Sequence, residues 1–98
     1  MFGLGGVFVE VLKDVSFRVA PFDVKEAHMM IDEIRGRAIL DGVRGAPPSD
    51  IEALAESLSQ LSLFAITNAK NLDSVDLNPL IVLPEGAKIV DALIITKN

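Results

Sequence analysis

The chain contains no cysteine and a single histidine, His28. The absence of cysteine excludes disulfide bonds, thiolate catalysis and the usual thiolate sites for structural zinc. One histidine also offers little nitrogen ligation for transition metals. If this protein binds a metal ion, we therefore expect one that prefers oxygen ligands, such as Mg²⁺.

Positive charge and long apolar runs are also scarce. Nine Lys and Arg stand against 14 Asp and Glu, which gives a net charge of −5, and the basic residues form no cluster. We expect no nucleic-acid partner, because a phosphate backbone is bound by concentrated positive charge. No apolar stretch approaches the roughly 20 residues of a membrane span, and the N-terminus does not resemble a signal peptide. These features predict a cytoplasmic protein without a membrane partner.

Apolar residues, by contrast, are abundant. The 98 residues, half of them apolar, have a positive mean hydropathy of +0.42. We expect one domain over residues 1–98, and a domain of this size buries only roughly 65% of the surface that its unfolded chain exposes. Some apolar surface should therefore contact a second chain or a missing domain, and a homo-oligomer is expected.

The first half of the sequence predicts a β-hairpin followed by a helix. Residues 7–12 and 15–20 are rich in strand-forming types and are separated by a two-residue turn. Residues 23–26 have the form of a helix capping box. Apolar residues at helical spacing follow this capping box until Gly36 and predict a helix; they are Val24, Ala27, Ile31 and Ile34. A short helical turn is predicted after it, over residues 38–40.

The second half predicts one longer helix and a return to strands. Residues 49–52 form a second capping box, and strands are expected between residues 74 and 96, interrupted at residues 84–86. The resulting order predicts an α+β fold, a mainly antiparallel sheet with two helices on one face. The longer helix carries an apolar stripe made of Ile51, Leu54, Ala55, Leu58, Leu61 and Ala65.

Asp76 and Asn78 are candidate ligands for Mg²⁺. Side chains at i and i+2 of a strand point to the same face, and these two α-carbons would lie about 6.5 Å apart. Such a pair suits one ion with converging side chains, or two ions bridged by phosphate oxygens. The alternative is that both residues serve as turn or strand-end residues before Pro79.

Asp91 joins this candidate site by strand register. A hairpin that turns at Glu85 and Gly86 would pair Leu80 with Asp91, which puts Asp91 on the face of Asp76 and Asn78. The carboxylate also interrupts the apolar run of residues 89–95, where an unpaired charge would be costly to bury. Some partner is therefore expected to satisfy it.

Other polar residues are weaker candidates. Arg44, in a glycine-rich turn, is suited to bind a phosphate, although a structural ion pair is the favoured interpretation. Glu10 would face Arg18 and line the site if the first hairpin had a three-residue loop; solvated strand charges are favoured instead. His28 is interpreted as a surface or boundary residue. Three glycines near the N-terminus, interpreted as turn residues leading into a strand, are Gly3, Gly5 and Gly6.

Four sequence blocks, in this order, resemble the C-terminal half of the ATP-grasp domain of NDP-forming acyl-CoA synthetases: residues 2–18, 40–48, 76–80 and 90–92. The family includes ADP-forming acetyl-CoA synthetase and, more distantly, the succinyl-CoA synthetase β chain. The resemblance implies a ligase that interconverts acyl-CoA, ADP and phosphate with free acid, CoA and ATP, through an acyl phosphate and a phosphohistidine. It implies Mg²⁺ and ATP or ADP as cofactors. Asp76 and Asn78 match the family's acidic-x-Asn-Pro motif, and Asp91 matches its later metal-binding acid.

The sequence also departs from the family pattern. Ser74 stands where the family commonly has glutamate, and the family's nucleotide-binding lysine segment and phosphohistidine have no counterpart here. The chain therefore resembles half of a nucleotide site, whose expected partner is the N-terminal ATP-grasp half or a CoA-binding subunit, and it is not expected to turn over alone. Three origins of this chain remain open: a cloned fragment, the product of a truncated gene, or a natural small subunit. A non-catalytic oligomeric interaction module is the alternative function.

Overall fold

The computed structural model describes residues 1–42, 45–77 and 80–97. Its helices and strands confirm the α+β class, with small antiparallel sheets beside four helices. The helices are α1 (Gly6–Glu10), α2 (Val24–Glu33), α3 (Arg37–Leu40) and α4 (Ile51–Thr67). The strands are β1 (Phe2–Gly3), β2 (Val15–Ser16), β3 (Leu72–Leu77), β4 (Leu80–Val82), β5 (Ala87–Ile89) and β6 (Ala92–Thr96).

Helices α2 and α4 lie where the sequence predicts them, and both begin at an aspartate cap. The Asp23 carboxylate accepts a hydrogen bond from the backbone N–H of Glu26, which satisfies one orphan donor of α2. On α4 the cap is Asp50, which accepts from Ala53 N, so the cap lies one residue after the predicted Ser49 and the predicted capping box does not form. The backbone N–H of Ser49 instead donates to Leu40 O, which holds this residue before the helix begins.

The core is the interface between these two helices and the strand pair β1–β2. The predicted apolar positions of α2 are confirmed, and Met30 adds a buried side chain that the spacing argument did not include. The hydroxyl of Ser16 on β2 donates to Met30 O at 2.9 Å, which links the strand to the helix. The buried apolar residues are Phe2, Ala27, Met30, Ile31, Ile34, Leu40, Leu54 and Ala55.

The predicted N-terminal hairpin is wrong. Residues 6–10 form the short helix α1, and the strand pairing is Phe2 with Ser16 and Gly3 with Val15. Gly5 and Gly6 have φ angles of +82° and +52°, which turn the chain out of β1 directly into α1. These glycines are turn residues as predicted, but they lead into a helix. The Val-rich segment therefore forms a helix against its strand propensity, although no residue of α1 is buried.

The C-terminal hairpin, residues 72–96, is present with a different register. Leu80 pairs with Ile89 and Val82 with Ala87, whereas the predicted partner of Leu80 was Asp91. The loop spans residues 83–86 and is closed by a hydrogen bond from Leu83 N to Gly86 O at 2.9 Å. This longer loop contains Pro84, whose missing N–H would have broken a ladder pairing.

The β3–β6 pairing continues the same register, since Leu77 lies opposite Ala92. The error in the prediction is therefore two residues. A shift of two residues keeps every side chain on its predicted face, whereas a shift of one would have inverted the hairpin. Within the described ranges, no helix has the length and apolar character needed to cross a membrane.

Candidate metal site on the C-terminal hairpin

Asp76 lies on β3, opposite Leu93 of β6, with its side chain exposed. Asp91 directly precedes β6 and is two residues before Leu93. Continuing the strand register by one residue makes Asp91 the diagonal neighbour of Asp76 on the same face. The last described pair of β3 and β6 is Leu77 with Ala92, so Asp76 and Asp91 lie at the same end of this strand pair; that they bind one ion stays a prediction.

Asp91 is not buried, contrary to the expectation from its apolar surroundings. Its neighbours on β6 are exposed as well, with Leu93 at 59% and Ile94 at 53% exposure. The Asp91 carboxylate accepts a hydrogen bond from the adjacent Ala92 N at 2.9 Å. Solvent therefore compensates its charge, and the expected need for a specific partner does not arise.

The third predicted ligand, Asn78, and the predicted phosphate ligand Arg44 both lie outside the described residues. Among the residues the structure describes, neither Asp76 nor Asp91 takes part in an ion pair with Lys or Arg. The same residues contain no cluster of three His, Cys, Asp or Glu side chains suited to a metal. Two exposed carboxylates at one end of the β3–β6 pair fit Mg²⁺, which usually binds one or two carboxylates and completes its shell with water and phosphate oxygens.

Glu10 and Arg18 do not face each other. Glu10 is exposed at the end of α1, while Arg18 binds two glutamates of α2. The Arg18 guanidinium donates to Glu26 at 3.1 Å and pairs bidentately with Glu33. Its hydrogen bonds lower the pKa of the Glu33 carboxyl and raise the pKa of Arg18 itself. Arg18 therefore fixes the segment after β2 to α2, and a nucleotide role of Glu10 stays a prediction.

His28 is a boundary residue, in agreement with its interpretation. Its Nε2 lies 2.7 Å from Glu52 Oε2, which connects the exposed sides of α2 and α4. The histidine side chain is 36% exposed. An exposed pair of this kind contributes little to stability.

Two aspartates have contacts that the sequence interpretation missed. Asp14 is buried and accepts hydrogen bonds from the backbone N–H groups of Arg35 and Gly36, both at 2.7 Å. Asp50 accepts from Gly86 N at 2.6 Å in addition to capping α4. The capping pattern indicated Asp50 only in part, and Asp14 was interpreted as a hairpin-turn residue. The residues next to each aspartate in the sequence do not indicate the distant backbone N–H groups from which it accepts, those of Arg35 and Gly36 for Asp14 and that of Gly86 for Asp50.

Comparison with known proteins assigns the chain to a family, because the sequence model of the ATP-grasp domain matches residues 1–96. This chain belongs to the ATP-grasp domain family. It is 48% identical over 99 residues to the β subunit of ADP-forming acetate-CoA ligase II from Pyrococcus furiosus, covering 99% of this chain and 42% of the relative. It is also 48% identical over 91 residues to ADP-forming acetate-CoA ligase I from Archaeoglobus fulgidus, covering 93% of this chain and 13% of the relative.

Solved structures give the same assignment. The apo form of dinucleotide-forming acetyl-CoA synthetase 1 from Ca. Korarchaeum cryptofilum superposes with a TM-score of 0.92 at 46% identity, covering 97% of this chain and 45% of that chain. A structure of the same synthetase with coenzyme A and Mg-AMPPCP gives a TM-score of 0.90, covering 97% of this chain and 44% of that chain. The chain therefore spans less than half the length of these relatives, and the predicted family resemblance is confirmed.

Proposed function

We propose that this ATP-grasp segment is the magnesium- and nucleotide-phosphate-binding portion of an ADP-forming acyl-CoA synthetase of the acetyl-CoA type. The observation that carries the proposal is the pair of exposed carboxylates, Asp76 and Asp91, each one residue from the last described pair of β3 and β6, Leu77 with Ala92. A synthetase 46% identical to this chain binds Mg-AMPPCP. The family and its relatives therefore support ATP or ADP and an acyl-CoA as the reactants.

In this proposal, Asp76, Asn78 and Asp91 hold the ion. Bound Mg²⁺ neutralises charge on the phosphate oxygens during phosphoryl transfer. The task of the two carboxylates is to hold the ion in place, and their exposure leaves room for nucleotide phosphates and water in the remaining coordination positions. Arg44 and Glu10 are proposed as contacts to the nucleotide.

Turnover requires protein surface beyond this segment, because phosphoryl transfer depends on positioning and electrostatic stabilisation from several sides. We propose that the remainder of an ATP-grasp domain, in the same polypeptide or in a partner, covers the nucleotide together with a CoA-binding region. The segment alone would then bind without catalysing. The relatives of this chain, which extend well beyond the matched part, support this arrangement.

The second candidate is a non-catalytic module that associates with itself. The exposed apolar side chains of the hairpin favour it, since an open strand with apolar side chains readily pairs with another chain. A dimer indifferent to both metal and nucleotide would support this candidate. The exposed apolar residues of this hairpin are Ile81, Leu83, Ile89, Val90, Leu93, Ile94 and Ile95.

The Asp76→Ala substitution is expected to abolish metal-dependent nucleotide binding, because it removes one of two carboxylates from an already sparse site. We would titrate the ¹⁵N-labelled chain with Mn²⁺ and ATP and record NMR line broadening, which detects weak binding of the paramagnetic ion. The wild-type chain should show broadening centred on residues 75–77 and 90–93. The Asp76→Ala chain should lose it.

Asp73→Asn provides the matched control, because Asp73 is an exposed carboxylate on the same strand. It removes the same charge from the hairpin without touching the candidate ligands, so the local broadening should persist. Equal broadening in wild type and Asp76→Ala would contradict the metal assignment. Absence of local broadening in the wild-type chain would contradict the proposed function of this segment.

A further inference from the structure

Asp50 makes more connections than a helix cap requires. Its Oδ1 accepts from Ala53 N at 3.0 Å, the usual cap bond, while Oδ2 accepts from Gly86 N at 2.6 Å. Its backbone N–H donates to Leu83 O at 2.7 Å. One residue therefore holds both ends of the hairpin loop against the start of α4.

The second carboxylate oxygen distinguishes Asp50 from the other aspartate cap. Asp23 caps α2 through a single bond to Glu26 N at 2.8 Å. In Asp50 the bond from Gly86 N contributes most to lowering the pKa of the carboxyl, followed by the bond from Ala53 N. Gly86 itself has a φ of +85°, a conformation that suits glycine and directs its N–H toward the helix.

The opposite end of the C-terminal hairpin is fixed separately. At the C-terminus of α4, Leu72 N donates to Asn68 O at 2.9 Å, and Lys97 N donates to Asn71 O at 2.8 Å. The bond to Asn68, the C-cap of α4, attaches the hairpin to the helix at this end, and the bond between Lys97 and Asn71 joins the two chain segments beyond β3 and β6. Between these attachments lie Asp76 on β3 and Asp91 directly before β6, and both strands are mostly exposed.

We infer that Asp50 is a positioning residue for the metal site, because it fixes the loop end of the hairpin whose middle carries Asp76 and Asp91. This inference depends on the proposed function. Without the Gly86 bond, the hairpin keeps its attachment at the α4 C-terminus and the packing of Leu80 and Val82 on the core. The loop end then moves more freely, and the two carboxylates spend less time in a geometry that suits one ion.

The test separates the loop contact from the helix cap. Asp50→Asn and Asp50→Ser both keep a side-chain oxygen able to cap α4, and both lose the acceptor for Gly86 N. Asp23→Asn and Asp23→Ser are the matched controls, since they make the same chemical changes at a cap without a loop contact. For each variant of the 98-residue chain, we would measure backbone amide exchange over residues 80–92 and the apparent affinity for Mn²⁺ with ATP.

Both Asp50 variants should accelerate exchange at Gly86 and its neighbours and weaken Mn²⁺ binding by about tenfold, the lower end of the effect of residues that orient metal ligands. The Asp23 variants should change neither quantity. Unchanged Mn²⁺ affinity in the Asp50 variants, whatever the exchange rates, overturns the inference while leaving the proposed function intact. An equal loss of affinity in the Asp23 variants also overturns it, because the cause would be general destabilisation. Failure of the wild-type chain to bind Mn²⁺ overturns the proposed function and, with it, the positioning role.

Discussion

Replacing Met30 with alanine is expected to lower the free energy of unfolding by about 2–5 kcal/mol, the range for truncating a buried Met, Leu or Ile. Met30 is only 2% exposed and lies in the main core cluster between α2 and its neighbours. The surrounding side chains can only partly fill the cavity that alanine leaves. Since small proteins have total stabilities of about 5–15 kcal/mol, this one change removes a large part.

The neighbouring residue supplies the control for this prediction. Met29 is in the same helix but 48% exposed, so Met29→Ala makes the same chemical change at a site that water already reaches. We expect a cost of less than about 1 kcal/mol. Urea unfolding monitored by circular dichroism measures both. Similar losses in the two variants would mean that Met30 does not occupy the core as described.

Asp14→Asn is expected to give the second large effect, a loss of stability that depends on pH. The Asp14 carboxylate connects the segment before β2 to the end of α2 by accepting the N–H groups of Arg35 and Gly36. An asparagine side chain offers one acceptor oxygen and turns a second donor toward one of these N–H groups. That leaves a buried donor without a partner, which is costly.

The direction of the pH effect follows from the pKa of Asp14. The backbone N–H of Arg35 lowers this pKa most; the N–H of Gly36 and the Arg35 guanidinium add to the effect, and burial opposes it. A carboxyl with a lowered folded pKa stabilises the protein fully above the pKa of the unfolded chain, about 3.9. This contribution is lost as the pH falls through the folded value.

The stability difference between wild type and Asp14→Asn should therefore be largest near neutral pH and shrink on acidification below about pH 4. Unfolding curves in urea between pH 7 and pH 3 measure it. Asp73→Asn is again the control, because this exposed carboxylate accepts no hydrogen bond within the described ranges. If the difference in unfolding free energy between wild type and Asp14→Asn stayed constant over this pH range, the charged form of Asp14 would not be what holds Arg35 and Gly36 in place after α2.

The sequence was sufficient for features that depend on neighbours within a few residues. The capping pattern and the spacing of Ala27, Ile31 and Leu54 located α2 and α4, because helix periodicity brings residues three and four apart onto one face. The side-chain alternation of strands likewise indicated that Asp76 and Asp91 share a face. The observed register differs from the predicted one by two residues, and the last described β3–β6 pair is Leu77 with Ala92, so the shared face of the two carboxylates stays a prediction.

Only the tertiary structure decided the features that depend on distant parts of the chain. The Val-rich segment after Gly6 forms α1 although its residues favour strands, and Arg18 pairs with α2 rather than with Glu10. Asp14 and Asp50 each accept from a backbone N–H at least 21 residues away, at Arg35 and Gly86 respectively. For residues other than proline, local propensities are worth at most about 1 kcal/mol each, so they do not decide the structure by themselves. The sequence by itself determined the two main helices and the family, because these are encoded in short patterns; the register of the hairpin and its anchoring to α4 required the folded chain.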